Sequence, residues 1–229
     1  MKKFFTLIAV CAMTLAANAQ IVSSSSRKIT TEVGEFPNYN RLYISYSPMS
    51  FSTSGDWDSD DWTASGVALG WLGGWSVSKT MPLYVEAGLN LRYNHWSDDW
   101  NDYDEWGKHS KTFLSASIPV NVSYKYAIPG VDGLSVAPYL GLHLTGNIIG
   151  KEKEEWGYGN KSEEDDGSFF DEDYMGKDNT ANRLQFGWQV GVGANYKKLY
   201  FGVGYSAEFT EYIKNVNTGG LTLTLGLNF

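Results

Sequence analysis

From about residue 39 to the end of the chain, apolar residues alternate with small or polar ones, the period that sends successive side chains to opposite faces of a β-strand. The alternation is clearest in the last segment, where Leu221, Leu223, Leu225, Leu227 and Phe229 are interleaved with Thr222, Thr224, Gly226 and Asn228. Leu83, Val85, Ala87, Leu89 and Leu91 follow the same rule against Tyr84, Glu86, Gly88, Asn90 and Arg92. So do segments around 114–123, 136–144, 184–193 and 201–209, with noisier ones at about 40–52 and 62–78. Eight amphipathic strands are predicted. Past the N-terminal segment, no run of apolar residues is long enough for a membrane helix.

Such strands suit either a soluble sandwich with apolar faces inward or a membrane barrel with apolar faces outward. The connections favour the barrel. The links fall at about 53–61, 79–81, 98–110, 127–133, 151–182, 197–198 and 213–219, so most of the long ones share one end. Short turns at one end and long loops at the other belong to outer-membrane barrels. The first three long links carry four, five and eleven acids, together 20 of the 26 in the chain. A soluble sandwich has no reason to segregate charge in this way, and a closed sheet leaves no backbone group unpaired in lipid. The fold expected is all-β: an eight-stranded antiparallel up-and-down transmembrane β-barrel over residues 39–229.

With its alternating strands, short turns and terminal Phe229, the sequence resembles the small outer-membrane barrels of the OmpX and OmpA transmembrane-domain type, including PorT-like members. That resemblance implies an integral outer-membrane protein with extracellular loops and periplasmic termini, in contact with lipid and lipopolysaccharide. It also implies that Phe229 is the signal read by the barrel-assembly machinery. The PorT-like members add a possible place in a secretion or envelope-assembly apparatus.

Composition narrows the reading further. With 9 Trp, 15 Tyr and 11 Phe the chain is no disordered polymer. With 26 acidic against 18 basic residues it offers no phosphate-binding surface, so nucleic acid is not an expected partner. Lys2 and Lys3, the apolar stretch from Phe4 to Leu15 and Ala17-Asn18-Ala19 read as a secretory signal over residues 1–19, cleaved between Ala19 and Gln20. Cleavage removes two Lys and the sole Cys, Cys11, taking the formal charge from -8 to -10. Residues 20–38 read as a periplasmic lead-in.

An eight-stranded barrel is just wide enough for side chains to fill it, so no pore is expected. Strand parity sends Arg41, Glu86 and Lys125 into the lumen near the turn end, and Arg92, His143 and Glu208 nearer the loop end. Paired charges plugging a polar interior are expected, with a gated proton or ion path as the alternative. Asp56, Asp58 and Asp60, and separately Asp171 and Asp173, are spaced like fragments of a calcium loop. They make loosely bound Ca or Mg the one cofactor the loops suggest. Six Trp (57, 62, 96, 100, 106 and 156) lie in or beside loops, either as an interfacial girdle and loop packing or as a stacking platform. Finally, Arg92-Tyr93-Asn94-His95-Trp96-Ser97 resembles the R-x-x-H-x-S stretch of PagL-type lipid A deacylases. That likeness casts His95 as base, Ser97 as nucleophile and Glu105 or Asp99 as the orienting acid. The expected function is a non-enzymatic barrel displaying acidic, Trp-rich loops for envelope integrity, adhesion or partner binding, with the apparatus component and the lipid A hydrolase as alternatives. An extracellular or envelope protein is the possible partner.

Overall fold

The computed structural model describes residues 36–53, 61–102, 105–158, 161–177 and 179–229. The expected signal peptide with Ala19 and Gln20, the lead-in up to residue 35, and Asp56, Asp58 and Asp60 lie outside these residues.

The described chain is nearly all strand: β1 (Tyr39–Tyr46), β2 (Met49–Thr53), β3 (Trp62–Ser76), β4 (Leu83–Asp102), β5 (Glu105–Tyr124), β6 (Tyr126–Ala127), β7 (Leu134–Tyr158), β8 (Lys161–Ser168), β9 (Leu184–Tyr196), β10 (Leu199–Glu208) and β11 (Val216–Asn228). The sheet runs β3-β4-β5-β7-β9-β10-β11, and β1 pairs with both β11 and β3 to close it. Pro48, which has no N–H to give to a ladder, separates β1 from β2. The chain then resumes between the same two neighbours, so β1 and β2 form one stave of an eight-stranded antiparallel barrel. Asn40 and Phe229 exchange backbone hydrogen bonds of 2.9 Å each at the seam.

The alternation sorts the wall as the pattern predicts. Leu42, Ile44, Leu69, Leu89, Leu140, Leu223 and Leu225 stand on the outside, each about half exposed or more. Arg41, Ser45, Glu86, Asn121, His143 and Asn195 are buried within. Trp75, Tyr124, Tyr126 and Tyr196 mark the outer surface near the turn end, where amphipathic rings belong at a membrane interface. Tyrosines fill much of the interior by lying against glycines: Tyr43 against Gly70, Tyr139 against Gly191 and Gly204, and Tyr200 against Gly193 and Gly202. A Cβ at Gly191 would meet the Tyr139 phenol and the Val203 carbonyl.

The links expected at 98–110 and 151–182 are corrected by the structure. Residues 98–102 continue β4, 105–110 begin β5, 151–158 end β7, and 161–168 form β8. Beyond His95 and Gly146, where the ring neighbours β3 and β9 stop pairing, β4, β5 and β7 run on and β8 joins them. This four-stranded extension, in the order β4-β5-β7-β8, is termed the blade. A single bulge separates wall from blade on β7: Leu114 faces Ile149 but Ser115 faces Asn147, leaving Ile148 unpaired. The extra residue shifts parity, so odd residues face the lumen before it and even residues face the same side after it.

Candidate functional site

Of the lumenal charges, the structure brings His143 and Glu208 together, with Nε2 to Oε1 at 2.9 Å. Thr145 Oγ1 donates to the same carboxylate oxygen at 3.2 Å. Arg92 donates from Nε to Ser115 Oγ at 3.4 Å. At the turn end the expected pairing is replaced by other partners. Glu86 accepts from the Tyr39 hydroxyl and from Ser123 Oγ at 2.9 Å. The Arg41 guanidinium lies 3.4 Å from the centre of the Tyr200 ring and donates to Asn228 Oδ1 at 2.9 Å. Lys125 Nζ sits 3.1 Å over Tyr39. Among the described residues, no ion pair joins Glu86 to Arg41 or Lys125. At this end hydroxyl donors, an amide oxygen and ring faces serve the charges separately where the sequence suggested a salt-bridge plug. A cavity of about 110 Å³ remains inside, lined by Arg41, Glu86, Asn90, Arg92, Tyr139 and His143 among others. That is room for about three or four waters.

An aromatic cap closes the loop end. Phe51 stacks on Trp62 at 4.0 Å, Phe113 on Phe169 at 5.6 Å, and Tyr212 meets Phe51 and Phe113 edge-on. Phe169 follows β8 and Tyr212 lies between β10 and β11, so two connections fold inward to complete the cap. They are tied to one another by Asn182, whose backbone N–H donates to Tyr212 O and whose side chain donates to Glu211 O, both at 2.7 Å. The Tyr212 hydroxyl is buried with no hydrogen-bond partner among the described residues, and burial pushes its phenol well above the usual range. Trp62 and Trp96 pack against this cap, so they belong to loop packing and not to a lipid-facing girdle. The cap is also what the sequence reading missed: Phe169 and Tyr212, which complete it, sit in connections, where no periodicity marks them.

The blade has two dissimilar faces. On the outward one, the carboxylates of Glu155 and Glu164 lie directly opposite each other and share the Lys153 ammonium at 2.6 and 3.0 Å. Hydrogen bonds to these two acids hold the Lys153 pKa above its ordinary value. The inward face continues the lumen through Asn94, Phe113 and Gly150. Its successive rows are Trp96, Lys111, Glu152 and Gly167; then Asp98, His109, Glu154 and Asp165; then Trp100, Gly107, Trp156 and Glu163. The Trp100 indole lies over Gly107, where a Cβ would strike it. Trp100 and Trp156 are 52% and 41% exposed. His109, isolated in sequence, has its Nε2 2.5 Å from Glu152 Oε1 and 3.6 Å from Glu154 Oε1. Its partners lie 43 and 45 positions away; the i, i+2 spacing of Glu152 and Glu154 was the available signal.

The other predicted residues are dispersed. His95 and Ser97 share the outward face of β4, and His95 Nδ1 pairs with Thr112 Oγ1 at 3.1 Å. Glu105 sits on the inward face, in register with Tyr158 and seven residues beyond Thr112 along β5. At about 3.3 Å per residue that is roughly 23 Å away. Asp99 lies on the face of His95 but four residues on, roughly 13 Å. Neither acid orients the imidazole, because parity and strand length keep them from it. Asp171 caps a short helix, α1 (Glu172–Met175), by accepting from Asp173 N at 3.0 Å. Its carboxylate thus serves the backbone, and Asp173 lies exposed in the first turn. Phe229 is exposed at the seam.

A family model described as outer membrane protein beta-barrel domain matches residues 5–229. No curated protein matches the chain. Among solved structures, the chain is similar to Ail, the attachment invasion locus protein of Yersinia pestis, in complex with the heparin analogue sucrose octasulfate. The identity is 13%, with 84% of this chain and 99% of that one covered, at a TM-score of 0.43. It is similar to the outer-membrane enzyme PagL at 11% identity, covering 82% and 98% of the two chains, TM-score 0.43. For the outer-membrane protease OmpT of Escherichia coli the identity is 10% over 84% and 96%, TM-score 0.40.

Proposed function

The chain belongs to the outer membrane protein beta-barrel domain family, and from that premise we propose that it is a non-enzymatic surface-binding protein whose blade is the binding element. In this reading the turns and termini are periplasmic and the blade stands outside the cell. One observation carries it: β4, β5 and β7 have 20, 20 and 25 residues, where about 9–11 cross a bilayer. The surplus is ordered into a sheet with exposed Trp100 and Trp156, and exposed aromatics of this kind are a usual means of holding a partner. Transport is not supported, since tyrosines fill the lumen and an aromatic cap covers its loop end. Hydrolysis finds no support either, since among the described residues the hydrogen-bond partner of His95 is Thr112 and not a carboxylate.

The test replaces residues 98–109 and 153–166 with tight turns and compares whole cells carrying either form. The trimmed barrel is expected to keep its heat-modifiable band on SDS gels. It should lose adhesion to surfaces or capture of a purified envelope or extracellular protein, while external protease cuts only the full-length blade. Unchanged adhesion and capture after trimming would overturn the proposal, as would a blade that protease reaches only from the periplasmic side. Lipid A mass spectra identical with and without the gene are expected; loss of an acyl chain would restore the hydrolase.

A further inference from the structure

The two faces of the blade treat the same electrostatic problem differently. Like charges directly opposite on neighbouring strands destabilise a sheet, and β7 and β8 place two such pairs in succession: Glu155 with Glu164 outward, Glu154 with Asp165 inward. The outward pair is bridged by the Lys153 ammonium. Among the described side chains, no lysine pairs with the inward two. Lys111 reaches Glu152 Oε1 at 3.1 Å, and the one ion-pair partner of Glu154 among the described residues is the imidazole of His109. The inward pair therefore lacks the cation that its outward counterpart holds.

Around that deficit the donor atoms already converge. The ligating atoms of His109, Glu152 and Glu154 all lie within 4.8 Å of one another, and Asp98 is directly opposite His109 in register. The His109 ring is steadied edge-on against Trp96 at 5.3 Å. We propose that the inward face of the blade binds a divalent transition-metal ion of the zinc or manganese class between His109 on β5 and Glu152 and Glu154 on β7. An imidazole nitrogen with two carboxylates suits zinc, a borderline ion, and manganese, which takes carboxylates together with an imidazole, whereas calcium and magnesium prefer oxygen alone. Bound there, the ion ties β5 to β7 and offsets the charge of the Glu154–Asp165 pair, as Lys153 does on the other side. This site is independent of whether the blade holds a partner protein.

The test is calorimetric titration of the full, tag-free barrel in detergent with zinc, manganese, calcium and magnesium separately. One site is expected for zinc and for manganese, with calcium and magnesium much weaker. His109→Ala and Glu154→Gln should each weaken zinc by about tenfold or more, since even loss of an outer-shell partner costs that much. Glu155→Gln, on the outward face, should change nothing. Each variant is checked for its heat-modifiable band; should His109→Ala not fold, the exposed Glu154→Gln decides alone. The proposal is overturned if no zinc binds at millimolar concentration, or if zinc binding survives both inward substitutions. It is also overturned if Glu155→Gln weakens zinc as much as Glu154→Gln, which marks a diffuse acidic cloud.

Discussion

Within the wall, β5 and β7 lie between lipid on one side and a filled lumen on the other; in the blade, the same two strands have water on at least one face. The backbone pairing runs through both regions with one bulge, at Ile148, between them, yet the side chains obey different rules. In the wall every second residue is apolar because lipid demands it. In the blade, runs such as Glu152-Lys153-Glu154-Glu155 put charge on both faces. Backbone hydrogen bonding carries an already ordered strand onward without an apolar period, and that period reports only what the strand is immersed in.

Four substitutions sharpen or break that contrast. Leu140→Arg, on the outside of the wall, is expected to cost about 2–4 kcal/mol, read by denaturant unfolding in vesicles; a cost near zero would mean that this surface does not face lipid. Gly191→Val, inside the wall, drives a side chain into Tyr139 and should cost about 1–3 kcal/mol in the same measurement. Tyr212→Phe, in the cap between the regions, removes a buried hydroxyl that has no partner among the described residues. It should be neutral or stabilising by up to about 1 kcal/mol at neutral pH. Burial raises the folded-state pKa of this phenol. The fold therefore favours the neutral form, and this contribution is complete below about pH 10, the unfolded value, and lost as pH rises toward the folded one. Near-UV dichroism of the cap should weaken above about pH 10 in the parent and less in Tyr212→Phe. Trp100→Arg, on the blade, should change unfolding by no more than about 0.5 kcal/mol, with any effect confined to binding.

The contrast also sets what could be read from the sequence. The wall was legible because two immiscible surroundings write an alternation into it, as in Leu221 to Phe229 or Leu83 to Leu91. Residues 98–110 and 151–168 read as loops because no apolar period marks strands that lie in water. Strand parity located Glu86, His143 and Glu208 inside, but it could not supply partners: Tyr39 and Ser123 come to Glu86 from other strands. On β7 the same parity was bound to fail past Asn147, since Ile148 inserts one residue and reverses it. His109 consequently looked solitary, and its carboxylates become visible only once the bulge is counted. The cap was hidden for a different reason, because Phe169 and Tyr212 are brought in by connections that fold back over the barrel mouth.

The unbroken passage of β4, β5 and β7 from wall to blade bears on force. A load applied at the tip acts along the strands, while antiparallel hydrogen bonds lie across them. The bonds are then strained together in shear instead of being peeled apart singly from one end. Tension is delivered to the root of the sheet, where those strands are already built into a closed cylinder. The molecule is in this respect a tether with a clamped base.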